Sequence, residues 1–324
     1  MIYFISESND IKTGGGIATY SNYVMLKKYY DNHEIIQIPL SNSGKSIIKR
    51  FFNFVFNFSN INVLVNFEKK SIIWVDRSIF GFLILFLKVT NPRSKIKVFY
   101  HNNEYEYFKD LYKLNPNIIN KVKVYSIVLN EFFTYCFANE FYFINPIQKN
   151  KFKRSNTFLN LPKFTFIENR FNSYNSIFNY FLIVGSNFPP NIEGINWFIN
   201  NVAIFTSDVN YVIIGKDLNI SLDETKLPSN VKLHSNVKST ESFFKNCVAT
   251  ICPIKFGSGL KIKIAEAIFF GKKTITFEKN ASPFREILKE DFNKFIISVS
   301  SKDELINSIK SFKLESTISN KYFE

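Results

Sequence analysis

Twice along this chain, short runs of apolar and β-branched residues alternate with stretches of helical spacing. That alternation narrows the fold more than any other feature. In the first half the strand-like runs are Ile2–Ser6, Glu34–Ile38, Ile72–Asp76, Lys95–His101 and Glu140–Ile144. Helical spacing fills Ile17–Tyr30, Ser78–Lys88 and Asn120–Phe137. The second half repeats the pattern with strands at Tyr180–Gly185, Asn210–Gly215, Val231–His234, Ala249–Pro253 and Lys273–Phe277. Its helices are expected at Ile192–Asn201, Thr240–Asn246, Lys261–Phe270 and Asp303–Phe312. Strands separated by helices predict a parallel sheet covered on both faces. Two such units in succession predict an α/β chain of two doubly wound, Rossmann-like domains facing a central cleft, with ligands at the carboxyl ends of the strands.

A length of 324 residues agrees with about two domains. The expected division is 1–168, 169–300 and a terminal helix, 301–324, packing back on the first domain. The Asn-, Ser- and Lys-rich stretch ending near 165–178 is read as the linker. Hydrophobic residues make up 46% and charged residues 21%, which excludes global disorder. Cys136, Cys247 and Cys252 are too few and too scattered for a disulfide framework, and they lack the spacing of a zinc site.

Net charge is +14, and it is uneven. Residues 1–165 carry 22 Lys and Arg against 11 Asp and Glu, whereas 166–324 carry 19 against 16. A basic first half points to an anionic surface, a phosphorylated substrate or a nucleic acid. No nucleic-acid motif is present. The segment from Lys45 to Phe56 mixes bases with aromatics, as a membrane-resting surface would. The most apolar run, Ile79 to Leu87, is too short to span a bilayer, and the opening residues read as a strand followed by acidic Glu7 and Asp10. A cytoplasmic protein, peripheral at the inner face of the membrane, is the expectation.

Three motifs carry chemistry. Gly14-Gly15-Gly16 follows the first strand, where glycines let a ligand approach the backbone and present N–H groups to an anion. It is not a dinucleotide fingerprint. His101 stands at the end of a strand, placed to hydrogen-bond a sugar hydroxyl or assist proton transfer. The third motif is the loop Gly257-Ser258-Gly259-Leu260, followed by Lys261, Lys263 and Glu266 on one helix. Lysines at a helix start oppose its dipole, a cost that a bound diphosphate would offset. A carboxylate one turn on suits the paired hydroxyls of a ribose.

The run from Pro253 to Lys273 resembles the donor-binding signature of GT-B glycosyltransferases of the group 1, family 4-like type. Phe181 to Phe198, with Gly185 and Asn187, is similar to the start of that family's second domain, and Tyr211–Gly215 to its next strand. The resemblance covers most of residues 1–290 and is more specific in the C-terminal half. It implies the GT-B fold and transfer of a hexosyl unit from a UDP- or GDP-sugar to a glycan or lipid-linked glycan. It also implies bacterial surface polysaccharide or glycoconjugate assembly, a retaining mechanism, and no cofactor or metal. Catalytic roles fall on His101, Lys263 and Glu266. Gly15, Gly16, Gly185, Asn187, Gly215, Gly257, Ser258, Gly259, Leu260 and Lys261 would bind substrate. Ser258 departs from the family, which often has a glutamate there; Glu266 matches its second glutamate. A non-catalytic GT-B partner subunit is the alternative from another class, and an epimerase the alternative enzyme.

Overall fold

The computed structural model describes residues 1–6, 14–31, 33–40, 70–154, 156–159, 180–257 and 259–321, with the backbone alone at 14, 15, 17 and 313–321. The chain divides into two compact units. One comprises Met1–Lys163 with Gly257–Leu260, and the other Phe164–Phe256 with Lys261–Glu324. The expected boundary at 168/169, the linker at 165–178, the Lys45–Phe56 segment and Ser258 lie outside the described residues.

The first unit holds six parallel strands in the order β2-β1-β3-β4-β5-β6. They are β1 Ile2–Ser6, β2 Ile35–Pro39, β3 Ile72–Val75, β4 Lys95–Tyr100, β5 Glu140–Phe143 and β6 Thr157–Leu159. The helices are α1 Gly14–Tyr29, α2 Gly81–Thr90, α3 Glu104–Leu114, α4 Ile118–Phe137 and α5 Pro146–Lys151. Strand side chains alternate faces. Tyr3, Ile5, Ile73, Val75, Ile96 and Val98 therefore pack with Leu83, Ile84 and Leu87 of α2. Ile2, Phe4, Trp74 and Phe99 pack with Leu26 of α1 on the other side. Covering both faces is what makes these strands read as unbroken apolar runs.

The second unit has the order β12-β11-β10-β7-β8-β9, again all parallel. Its strands are β7 Phe181–Val184, β8 Tyr211–Gly215, β9 Val231–Ser235, β10 Ala249–Cys252, β11 Thr274–Phe277 and β12 Ile296–Val299. Its helices are α6 Pro189–Asn201, α7 Glu241–Asn246, α8 Ile262–Phe269, α9 Glu278–Leu288, α10 Phe292–Phe295 and α11 Lys302–Lys321. The predicted pair of doubly wound sheets is thus present.

Beyond the shorter helices and the strand β12, which the sequence reading did not contain, some details bear on the expected site and domains. The triple glycine is the first turn of α1 rather than a loop before it. Glycine permits a loop without requiring one, and first-turn N–H groups lack intrahelical partners in either case. The stretch after Lys149 contains the end of α5 and strand β6, although it shows no clear periodicity. The first turns of the terminal helix belong to the second unit's core. Leu305 and Ile309 of α11 are buried in the second unit's core, with Phe312 packed against it. The apolar spacing of those three residues matches the sheet next to them, so burial decides the partner.

Candidate functional site

In each sheet the strand order reverses next to the first strand of the unit, and the candidate residues collect at the carboxyl ends there. In the first unit the reversal lies between β1 and β3. Asp76 follows β3 and His101 follows β4, and both are buried. The Asp76 Oδ1 is 2.8 Å from His101 Nε2 and accepts from Asn22 Nδ2 at 2.8 Å. Its Oδ2 accepts from Thr19 Oγ1 at 2.5 Å. A carboxylate only accepts, so Nε2 carries the proton in its pair with Asp76. Thr19 and Asn22 sit on one side of α1, three residues apart. The glycine-rich first turn therefore belongs to a helix that is fixed by the same carboxylate that fixes His101.

Beside this group Arg77 Nη2 lies 3.3 Å from Glu104 Oε1. Ser78 Oγ donates to Glu131 Oε1 at 3.4 Å. Burial raises the Glu131 carboxyl to about 7, and the neighbouring Glu104 pushes in the same direction. In the same unit Gly257 and Gly259 have φ of 87° and 91°, in the region that favours glycine. A Cβ at Gly259 would displace the Asn102 side-chain amide, so its backbone angle is the main reason for glycine there.

In the second unit the reversal lies between β7 and β10. Lys261 precedes the first turn of α8 and Lys263 lies within it. Burial depresses the Lys261 ammonium to about 8, and the charges of Lys263 and Lys279 add to the shift. Lys263 is also pushed down by burial, with Glu266 acting against it. Its Nζ donates to Asn191 Oδ1 at 2.6 Å, and Asn191 Nδ2 donates to the Ser186 carbonyl at 3.0 Å. Glu266 Oε1 accepts from Thr240 Oγ1 at 2.7 Å. Burial raises the Glu266 carboxyl, against the pull of Thr240 and Lys263. Two half-buried ammonium groups, each depressed by partial burial, make a site that gains from an anion.

The other expected residues take more modest places. Asn187 Oδ1 accepts from Ser221 Oγ at 2.7 Å. A Cβ at Gly215 would run into the Gly185 carbonyl oxygen, so the absence of a side chain there serves the close approach of the ends of β7 and β8. The structure brings Lys261, Lys263 and Glu266 onto one helix start. It also adds Asn191, Thr240, Asp76, Asn22 and Thr19, none of which stood out in the sequence. Asx and Thr residues at strand and helix ends are read as caps, and their long-range partners are invisible without the fold. Among the described residues no cluster of three or more His, Cys, Asp or Glu could hold a metal ion.

Residues 179–312 match the family model described as glycosyl transferases group 1. No curated protein matches the chain. Among solved structures it is similar to Anabaena HepE in complex with UDP, with a TM-score of 0.61 and 13% identity over 98% of this chain and 90% of that one. It is similar to OtsA in its apo form, with a TM-score of 0.54 and 9% identity over 98% and 96%. It is also similar to TarM, with a TM-score of 0.51 and 13% identity over 83% of this chain and 52% of that one. The chain thus spans about half the length of TarM. At these identities the likeness shows the fold alone, and that is the GT-B fold with its two Rossmann-like sheets that the sequence resemblance implied.

Proposed function

We propose that this protein transfers a sugar from a nucleotide-activated donor, UDP- or GDP-linked, to a hydroxyl of a glycan or lipid-linked glycan. The observation that carries the reading is the pair of half-buried lysines, Lys261 and Lys263, at the start of α8, where the second sheet reverses its strand order. The group 1 match over the same residues supports it. So does the solved HepE relative, which holds UDP.

In this reading Lys261 and Lys263 hold the diphosphate, and Gly257–Leu260 and Gly185 present backbone to it. Glu266, positioned by Thr240, takes the ribose hydroxyls. Asn191 holds the Lys263 ammonium in place. When the sugar–oxygen bond breaks, negative charge grows on the departing diphosphate. Two preorganised cations stabilise that charge more than they stabilise the bound donor, which is how they accelerate transfer. His101, fixed by Asp76, contacts the transferred sugar, and Gly15 and Gly16 approach its phosphate side. The nucleotide sugar is a substrate, with neither cofactor nor metal in the scheme, and the family pattern implies retention at the anomeric carbon. The acceptor belongs to surface polysaccharide or glycoconjugate assembly, and the protein works peripherally on a membrane face. No helix among the described residues is long and apolar enough to cross a bilayer.

A thermal-shift panel of nucleotide sugars tests this directly. The right donor at roughly 100 times its dissociation constant should add about 2.7 kcal/mol of stability. Lys263→Ala and Glu266→Ala should abolish that gain together with transfer. Turnover unchanged in both variants would sink the assignment.

A further inference from the structure

Helix α4 turns its polar side inward. Asn120, Ser126, Asn130 and Thr134 are buried against the rest of the first unit, with Ile127 the one apolar residue fully buried among them. The side facing water is apolar. Ile118 is 72% exposed, Tyr125 61% and Phe132 57%, and Val122, Leu129 and Cys136 are exposed between and after them. The steps between these six residues alternate four and three, so they form one continuous seam along the helix. Ile119, Val128 and Tyr135 widen it. At 1.5 Å per residue the 20-residue helix makes the seam about 30 Å long. A surface helix ordinarily shows the opposite polarity, and a contiguous exposed apolar face marks an interaction site.

Charge identifies the occupant. Exposed Lys121 stands three residues after Ile118 and four before Tyr125, on the seam's side. At the other end the Arg154 guanidinium lies 4.1 Å over the Tyr135 ring. Exposed Lys151 and Lys153 flank Phe152, which packs 5.4 Å from Tyr135. The only carboxylate of α4, Glu131, is turned away toward Ser78. Cations therefore bracket an apolar, tyrosine- and phenylalanine-rich seam that carries no negative charge. A second copy would bring the same cations to the same seam, whereas a layer of anionic headgroups over acyl chains complements both features.

We propose that α4 is a membrane-docking helix, lying in the headgroup region of an anionic bilayer with the Ile118–Phe132 seam toward the acyl chains. The proposal rests on the lipid-linked reading of the acceptor for its purpose, while its physical basis is independent of donor chemistry. Flotation of the full chain tests it. The wild type should float with phosphatidylglycerol vesicles and much less with phosphatidylcholine vesicles. Leu129→Glu with Phe132→Glu should weaken partitioning by roughly tenfold or more. Lys121→Glu should weaken it and reduce its salt dependence. Phe132→Trp provides a second readout, a blue shift of emission on addition of phosphatidylglycerol vesicles.

Stabilisation by the donor should survive in all these variants, because none replaces a residue assigned to the donor. Flotation indifferent to the double variant overturns the proposal, as does emission unchanged by vesicles. A lipid-free dimer that the double variant breaks also overturns it, and assigns the seam to a second copy. Intact flotation with no response to any nucleotide sugar would instead overturn the donor reading and leave docking standing.

Discussion

Asp76 is the residue on which the first unit's site depends. Its two oxygens serve Thr19, Asn22 and His101, from one helix and one neighbouring strand end, and it is fully buried. Removing it leaves three polar groups without their acceptor in a dry place. Asp76→Ala should destabilise the protein by about 3 kcal/mol, on the order of a broken buried network, and urea unfolding measures this. His101→Ala removes one donor and should cost less, because the carboxylate keeps Thr19 and Asn22. The reverse order would show that the ring, and not the carboxylate, organises the site. His101 was legible in the sequence from its place at a strand end. Its anchor was not, because Asp76 lies 25 residues away and only sheet formation brings the two together. The same holds for Asn191, which meets Lys263 across 72 positions.

At the scale of elements, α2 and α4 cross in unusually close contact. A Cβ on Gly81 would enter the Asn130 carbonyl group, and Asn130 Oδ1 accepts from the Phe82 amide at 3.1 Å. Thr134 Oγ1 donates to the Ser78 carbonyl at 2.8 Å. Small and amide-bearing residues therefore line much of the inner face of α4 beside the buried Ile127, and most of its other apolar residues face outward. Gly81→Ala should force the helices apart and cost about 2–3 kcal/mol, against the gain of a few tenths to 1 kcal/mol that alanine brings to an unobstructed helix position. Thermal unfolding separates the two outcomes. Strand and helix alternation was legible because parallel strands buried on both faces leave continuous apolar runs. Helices α3 and α9 were not, since α3 mixes charge with tyrosine and α9 carries Pro283 within it. The direction in which α4 faces was hidden too, because periodicity reports an amphipathic helix without saying which face meets the core.

For the whole molecule, the two units divide the chemistry. The first carries a buried Asp–His pair and the outward seam of α4, and the second carries the two depressed lysines. Lys261 costs the ligand-free protein stability while charged. Its folded pKa of about 8 lies below the ordinary lysine range, so the folded state binds fewer protons than the unfolded state above that point. The penalty is fully present below about 8 and fades as pH rises toward the ordinary lysine range. A bound diphosphate reverses the balance by holding the ammonium charged, so binding should take up a proton.

Calorimetric titration with UDP below and above about pH 8 tests this most directly. The account predicts tighter binding on the acid side, and near pH 8 a measured heat that changes with buffer ionisation as a proton is taken up. Lys261→Met should weaken binding and remove both effects, and its ligand-free form should be no less stable than wild type. UDP affinity that is the same in wild type and Lys261→Met, with no proton uptake, would contradict the claim that these lysines hold the diphosphate.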